Sequence, residues 1–135
     1  MGHKTAAVRV ITFGTFDLFH YGHLRLLERA RAHGQSLVVG LSTDELNEYK
    51  KGRKPVYAYP EREAILRGLR VVDQVFAEES LDAKADYIRK QHADILVMGD
   101  DWRGRFDHLA DICDVVYLTR TPSISTTATI ERIQR

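Results

Sequence analysis

The residues best equipped for chemistry fall in one decamer, Gly14-Thr15-Phe16-Asp17-Leu18-Phe19-His20-Tyr21-Gly22-His23. Two histidines three residues apart share a face when they sit on the first turn of a helix. Their ring N–H groups donate to phosphate oxygens, and a helix N-terminus adds free backbone N–H groups and a positive dipole end. Gly22 removes a side chain where a ligand would approach closely, and Thr15 and Asp17 add polar groups to the turn. The flanking sequence supplies the elements that must hold this turn in place. Val8 to Phe13 is β-branched and apolar, the pattern of a buried strand. Leu24, Leu27 and Ala30 then recur at helical spacing, with Arg25, Glu28, Arg29 and Arg31 left for water. The decamer is thus predicted to be a strand-to-helix turn that binds an anion.

Strand-like and helix-like stretches alternate along the rest of the chain. The pattern predicts strands at Leu37–Leu41, Val71–Phe76, Ile95–Met98 and Val115–Leu118. It predicts helices over 44–49, 60–70, 82–92 and 106–112, and a last amphipathic helix through Ile130 and Ile133 with Ser125 as N-cap. Such alternation in 135 residues makes a single α/β domain with a doubly wound parallel sheet. Ligands of these sheets bind beyond the carboxyl ends of the strands. Three polar segments fall there: Gly14–His23, Gly99–Trp102 and Arg120–Thr127.

Each segment offers a different contact. Arg120 with Ser125, Thr126 and Thr127 gives a guanidinium fork, three hydroxyls and a second helix N-terminus, hence a second phosphate cradle. Two cradles facing one crevice fit the length of a triphosphate. Asp101 and Trp102 offer a hydrogen-bond acceptor and a stacking surface for a base. Between Lys50 and Tyr59, a stretch without periodicity holds Lys50, Lys51, Arg53 and Lys54, and is expected to be a mobile basic lid.

Composition narrows the function classes. Apolar residues make up 44% and charged residues 29%, values of a folded domain rather than a disordered chain. A net charge of +1 without a basic block argues against a nucleic-acid binder working by phosphate neutralisation. The single cysteine, Cys113, makes neither an internal disulfide nor a cysteine zinc site and is expected to be a buried structural thiol. No apolar run reaches membrane length and no signal-peptide pattern opens the chain, which points to the cytoplasm. Residues 1–6 are expected to be disordered or tag-derived.

Gly-x-Phe-Asp-x-x-His-x-Gly-His resembles the signature of the HxGH nucleotidyltransferase superfamily. The resemblance to the glycerol-3-phosphate cytidylyltransferase family runs nearly end to end. Its pieces are Gly14–Leu18 with His20 and His23, Leu26–Ala30, Ser42–Glu45, Arg70 with Val72-Asp73, Met98–Trp102, and Arg120-Thr121 with Ile124–Thr127. Of these, Met-Gly-Asp-Asp-Trp and Arg-Thr-x-x-Ile-Ser-Thr-Thr are the narrower signals and favour CTP over ATP. The resemblance implies a Rossmann-like fold, transfer of CMP from CTP to a small phosphorylated alcohol, and release of pyrophosphate. It implies that His20 and His23 contact the CTP phosphates, with Lys50 at the reacting phosphates and Arg120, Ser125, Thr126 and Thr127 at the β- and γ-phosphates. Thr15, Phe16, Gly22, Asp101, Trp102 and Thr121 fall in the nucleotide site, and Asp17, Arg62 and Lys84 on the acceptor side. Mg²⁺ is expected through the CTP phosphates, with no metal site built from protein groups alone. A homodimer is implied, with Arg70–Asp73 as the segment to watch.

The chain departs from the family pattern in places. Pro122-Ser123 stands where the family has Glu-Gly, Leu81 stands where it has a tryptophan, and the basic segment is one residue longer. These changes gather near the acceptor and the lid, so glycerol 3-phosphate competes with another small phosphate or a hydroxyalkylphosphonate. Other readings are an adenylyltransferase that makes FAD from FMN, a non-catalytic nucleotide sensor, and a bare interaction module.

Overall fold

The computed structural model describes residues 7–120. Five strands form one parallel sheet: β1 (Arg9–Gly14), β2 (Ser36–Ser42), β3 (Gln74–Glu78), β4 (Ile95–Gly99) and β5 (Asp114–Leu118). Their order across the sheet is β3-β2-β1-β4-β5. The chain winds outward from β1 in one direction, then crosses back and winds outward in the other. The reversal lies between β1 and β4, the place where doubly wound sheets open a crevice for ligands. These two strands are in register at Val10–Ile95 and Ile11–Leu96, whereas β1 and β2 stay in register up to Gly14–Leu41.

The sheet separates two apolar layers, because successive side chains of a strand point to opposite faces. On one face Val10, Leu37, Val39, Leu41, Val75, Val97 and Leu118 pack with Leu27 and Ala30 of α1 (Tyr21–Arg31) and Leu66 of α3 (Tyr59–Arg67). On the other, Ile11, Phe13, Val38, Leu96 and Met98 pack with Ile88 of α4 (Lys84–Lys90) and with Leu109 and Cys113. The Cys113 thiol is buried, and that burial pushes its pKa up, so it is an inert packing group. Gly40 serves the second layer. A Cβ there would stand 2.4 Å from the ring of Phe13, a ring that lines the site described below.

The helix α2 (Asp44–Lys51) begins with the Thr43 side chain capping the Leu46 amide and ends at Gly52 with φ 76°. Lys50 and Lys51 therefore belong to a helix and not to the loop expected at 50–59. The loop that remains is tied down along its length. Asn47 Nδ2 donates to the Arg53 carbonyl, and the Asp17 carboxylate accepts from the Val56 and Tyr57 amides at 2.6 and 2.9 Å. In this structure it stands as a hydrogen-bonded wall of the site.

Three other expectations shift. Val71 and Val72 belong to a turn, and β3 begins at Gln74. Asp73 accepts from the Leu37 amide and its own N–H donates to the Leu37 carbonyl, which aligns the strand that follows. The helix expected at 82–92 is shorter, Lys84–Lys90, after a 3-10 turn at Leu81–Ala83. The helix expected at 106–112 is a 3-10 turn, Asp107–Asp111. Residues 1–6, Thr121, the Ser125–Thr127 cradle and the last helix lie outside the described residues.

Candidate active site

The loop from Thr15 to Phe19 leaves β1 through two left-handed residues, Phe16 with φ 51° and Leu18 with φ 49°. Non-glycine residues hold such angles at a cost of about 1–3 kcal/mol each, and only where the surroundings impose them. Here they do. The Arg62 guanidinium, fully enclosed, donates to the carbonyls of Thr15 and Ser42 at 2.9 Å each, to the Tyr57 carbonyl at 2.9 Å, and to Asp44 Oδ1 at 2.7 Å. Thr15 Oγ1 donates to Asn47 Oδ1 at 2.7 Å. Buried polar groups stay only when their hydrogen bonds are made, and these weld the loop after β1 to α2, α3 and the basic wall.

The loop delivers two histidines to the start of α1. His20 is the N-cap, its Nδ1 accepting from the Gly22 amide at 3.0 Å. His23 returns the bond, its Nδ1 accepting from the His20 amide at 3.2 Å. The rings stack with centroids 3.8 Å apart. Because each Nδ1 accepts a backbone proton, each neutral ring carries its own proton on Nε2. Burial lowers the pKa of both, with the neighbouring His20 and then Lys51 adding to the effect on His23, which falls to about 3. The pair is thus neutral at physiological pH and presents N–H donors of fixed tautomer. The Nε2 of His20 is shut off from solvent with no hydrogen-bond partner among the described residues.

Two cavities open at the carboxyl ends of β1 and β4. The first, about 400 Å³, is lined by His23, Thr15, Phe16, Asp17, Asp101 and Trp102, with the cations Lys51 and Arg53. The second, about 480 Å³, is lined by Lys50, Lys84, Glu78, Leu81, Arg105 and Phe106. Phe13, Gly14, Thr15, Lys51, Met98 and Trp102 border both. The two cavities adjoin along these shared residues and together can hold two molecules side by side.

Most of the residues singled out from the sequence meet here. Gly22 stands in the first turn of α1 as the donor to His20, and Arg120 lies 3.7 Å from the Asp101 carboxylate at the same edge. Asp17 lines the first cavity while its oxygens hold the basic wall. His20 lines neither cavity and stands behind His23; Arg62 lines neither and braces the loop from below.

Other groups are visible only in the structure. Glu78 and Ser42, at the ends of β3 and β2, and Asn47, in α2, are buried polar residues. Their position at the carboxyl edge is a signal the sequence holds, although nothing in a one-dimensional pattern tells a buried carboxylate from a solvated one. Arg105, after the 3-10 turn at Asp100–Trp102, and Lys51, at the end of α2, also join the walls.

On the second cavity's floor, Lys84 Nζ meets Glu78 Oε2 at 2.6 Å and lies 4.9 Å above the Phe13 ring. Ser42 Oγ donates to the other carboxylate oxygen of Glu78 and accepts from Lys50 Nζ at 2.8 Å. Burial pushes Lys50 down to about 8, the Glu78 carboxylate opposing that shift and Lys51, Lys84 and Arg62 adding to it. Both ammonium groups are thereby held at one chamber, a setting for a small dianion.

Comparison with known proteins agrees with this arrangement. Residues 11–132 match a sequence model of the family described as Cytidylyltransferase-like. The chain is 50% identical over 125 residues to the glycerol-3-phosphate cytidylyltransferase of Bacillus subtilis (strain 168), covering 93% of this chain and 96% of that one. It is 51% identical to the enzyme of that name from Staphylococcus aureus, covering 88% and 89%. A FAD synthase of Thermococcus sibiricus is more distant, at 35% over 73% of this chain and 66% of its own. Among solved structures, the lipopolysaccharide core biosynthesis protein of Thermoplasma volcanium shares the fold with a TM-score of 0.74 at 24% identity, covering 86% of this chain and 99% of that one. A crevice at the β1–β4 reversal, a two-histidine helix cap at its edge and half the sequence held in common with two bacterial enzymes leave one conclusion, that this chain belongs to the cytidylyltransferase-like family and to its glycerol-3-phosphate cytidylyltransferase branch.

Proposed function

We propose that this protein transfers CMP from CTP to glycerol 3-phosphate, giving CDP-glycerol and pyrophosphate. The observation that carries the reading is the pair of adjoining cavities that share Gly14, Thr15 and Trp102, one bordered by His23 and Asp101, the other by Lys50 and Lys84. CTP takes the first chamber. Its base lies toward Asp101 and Trp102, and its triphosphate lies toward the N-terminus of α1. Glycerol 3-phosphate takes the second, its phosphate against the two lysines.

An oxygen of the acceptor phosphate then attacks the α-phosphorus, the bond to the bridging oxygen of pyrophosphate breaks, and pyrophosphate leaves with the electron pair. No protein nucleophile is needed. The protein supplies proximity and positive potential aimed at the phosphoryl oxygens. In this reading a phosphate oxygen meets the Nε2–H of His20, which has no partner among the described residues, and leaving such a donor unmet costs about 1–3 kcal/mol. Arg120 with Thr121, Ser125, Thr126 and Thr127 takes the far phosphates in this reading.

Mg²⁺ fits the site as a companion of the nucleotide. In this reading the oxygens that would hold it belong to the triphosphate and to water. When bound, it neutralises charge that develops on the departing pyrophosphate. A homodimer formed around Arg70–Asp73 belongs to the same proposal, and sedimentation velocity tests it, a monomer at micromolar concentration ruling it out.

The reaction is tested by pyrophosphate release from CTP or ATP against a panel of glycerol 3-phosphate, a hydroxyalkylphosphonate and FMN. The expected result is turnover with CTP and glycerol 3-phosphate above every other pair. Preference for ATP with FMN, or binding of CTP without turnover on any acceptor, overturns it.

A further inference from the structure

The second chamber contains a charged group that an anion-binding pocket does not obviously need. Glu78, at the end of β3, is 1% exposed. A carboxylate among bound phosphates would repel them unless its charge is committed elsewhere, and here it is. One oxygen is 2.6 Å from Lys84 Nζ, and the other accepts from Ser42 Oγ at 3.3 Å, the hydroxyl that in turn takes Lys50 Nζ at 2.8 Å. All three links lie on the chamber's floor, between the ends of β2 and β3, whose last pair in register is Ser42–Glu78. The two ammonium groups come from different elements, α2 and α4, and among the described residues this carboxylate connects them, directly to Lys84 and through Ser42 to Lys50.

Resting on the reading given above, we propose that Glu78 is a positioning residue that sets two lysines for the reaction. It holds Lys84 directly at the acceptor phosphate, and it holds Lys50 through Ser42 at the phosphates that react. Lysine carries its charge on a flexible stem with three rotatable donors. Tethering one donor of each ammonium leaves the others aimed into the chamber and removes rotamer freedom before the substrates arrive. The carboxylate also keeps Lys50 protonated. The charged groups acting on Lys50 are Lys51 of its own helix, Lys84 of α4, Arg62 of α3 and Glu78 of β3, and only Glu78 favours the ammonium. Without it, three neighbouring cations and burial act unopposed, and Lys50 loses its proton at lower pH.

The test begins with the native chain, whose rate with CTP and glycerol 3-phosphate is measured across pH. Activity is expected to decline as pH rises through the Lys50 pKa of about 8. In Glu78→Gln, we expect KM for glycerol 3-phosphate to rise and kcat to fall, together lowering kcat/KM by about ten- to a hundredfold. The alkaline decline should move down by about one pH unit or more, while the CTP dissociation constant from calorimetry stays within about twofold of native. Glu78→Asp, which keeps the charge, should return the decline toward its native position. Equal losses for CTP and acceptor, or an alkaline decline that does not move, overturn the proposal and leave Glu78 a packing residue.

If Glu78→Gln does not fold, Ser42→Ala carries the test. It cuts the tether between Lys50 and the carboxylate while leaving the charge of Glu78 and its pair with Lys84 intact, so kcat should fall by about tenfold with the alkaline decline near its native position, and an unchanged kcat overturns the proposal. Failure of the underlying reading shows separately, as a native chain with no turnover on any acceptor, and takes this inference with it.

Discussion

At the scale of single residues, the two histidines do two jobs that mutation can separate. Each Nδ1 caps the start of α1, and in the proposed reaction the Nε2–H of His20 donates to the nucleotide. An Asn side chain still caps a helix, whereas an Ala does not, a difference of about 0.5–2 kcal/mol. His20→Asn should therefore retain most of its stability, as read by urea unfolding, and lose kcat by about a hundred- to a thousandfold, the usual cost of one preorganised donor. Retained kcat in His20→Asn would place the ring outside the reaction. The pH behaviour of the pair follows from its burial. With a folded pKa of about 3 against 6.5 when exposed, His23 binds fewer protons folded than unfolded between those values. Folding stability therefore rises with pH through that window and is lost as pH falls from 6.5 toward 3. His23→Asn should flatten that part of the stability curve, measured as Tm against pH; an unchanged slope would mean that His23 is protonated in the folded state. The motif itself was legible from residue type and spacing. That the tautomers are set by reciprocal backbone bonds was not, since two histidines three apart show no ring orientation on paper.

At the scale of elements, Arg62 is the clearest departure from the sequence reading. A motif match places it on the acceptor side, but the structure wraps it in three carbonyls and Asp44, behind the loop that carries Thr15 and Phe16. Removing one partner of a buried ion pair costs about 3–5 kcal/mol, so Arg62→Ala should lower unfolding stability by about 3 kcal/mol or more. A loss below about 1 kcal/mol with a selective rise in acceptor KM would return Arg62 to the acceptor. Strand and helix order was legible because β1, β2 and β4 are continuous apolar runs covered on both faces. The boundary before β3 was not. Val71 and Val72 look like strand, but Val72 is buried by folding a turn against the core and the ladder begins after Asp73. The basic stretch misled in another way. Its charges suggest a solvated loop, whereas the groups that fix it are buried or half-buried in the fold, Asn47 and Arg62 on the flanking helices and Asp17 far off in the sequence.

At the scale of the whole molecule, topology accounts for the site. The winding reversal between β1 and β4 opens a crevice, and segments from four strand ends line it without further instruction from the sequence. The chain order of polar turns made this convergence legible; the two adjoining cavities, which share Thr15 and Trp102 among other residues, appear only in three dimensions. In the proposed reaction both substrates occupy them at once, so that the acceptor attacks CTP directly. The stereochemical course at the α-phosphorus tests this most sharply. With CTP carrying a single-configuration α-phosphorothioate, transfer to glycerol 3-phosphate should invert the configuration at phosphorus. Retention would require two successive displacements through an enzyme-bound cytidylyl group, and would contradict the account.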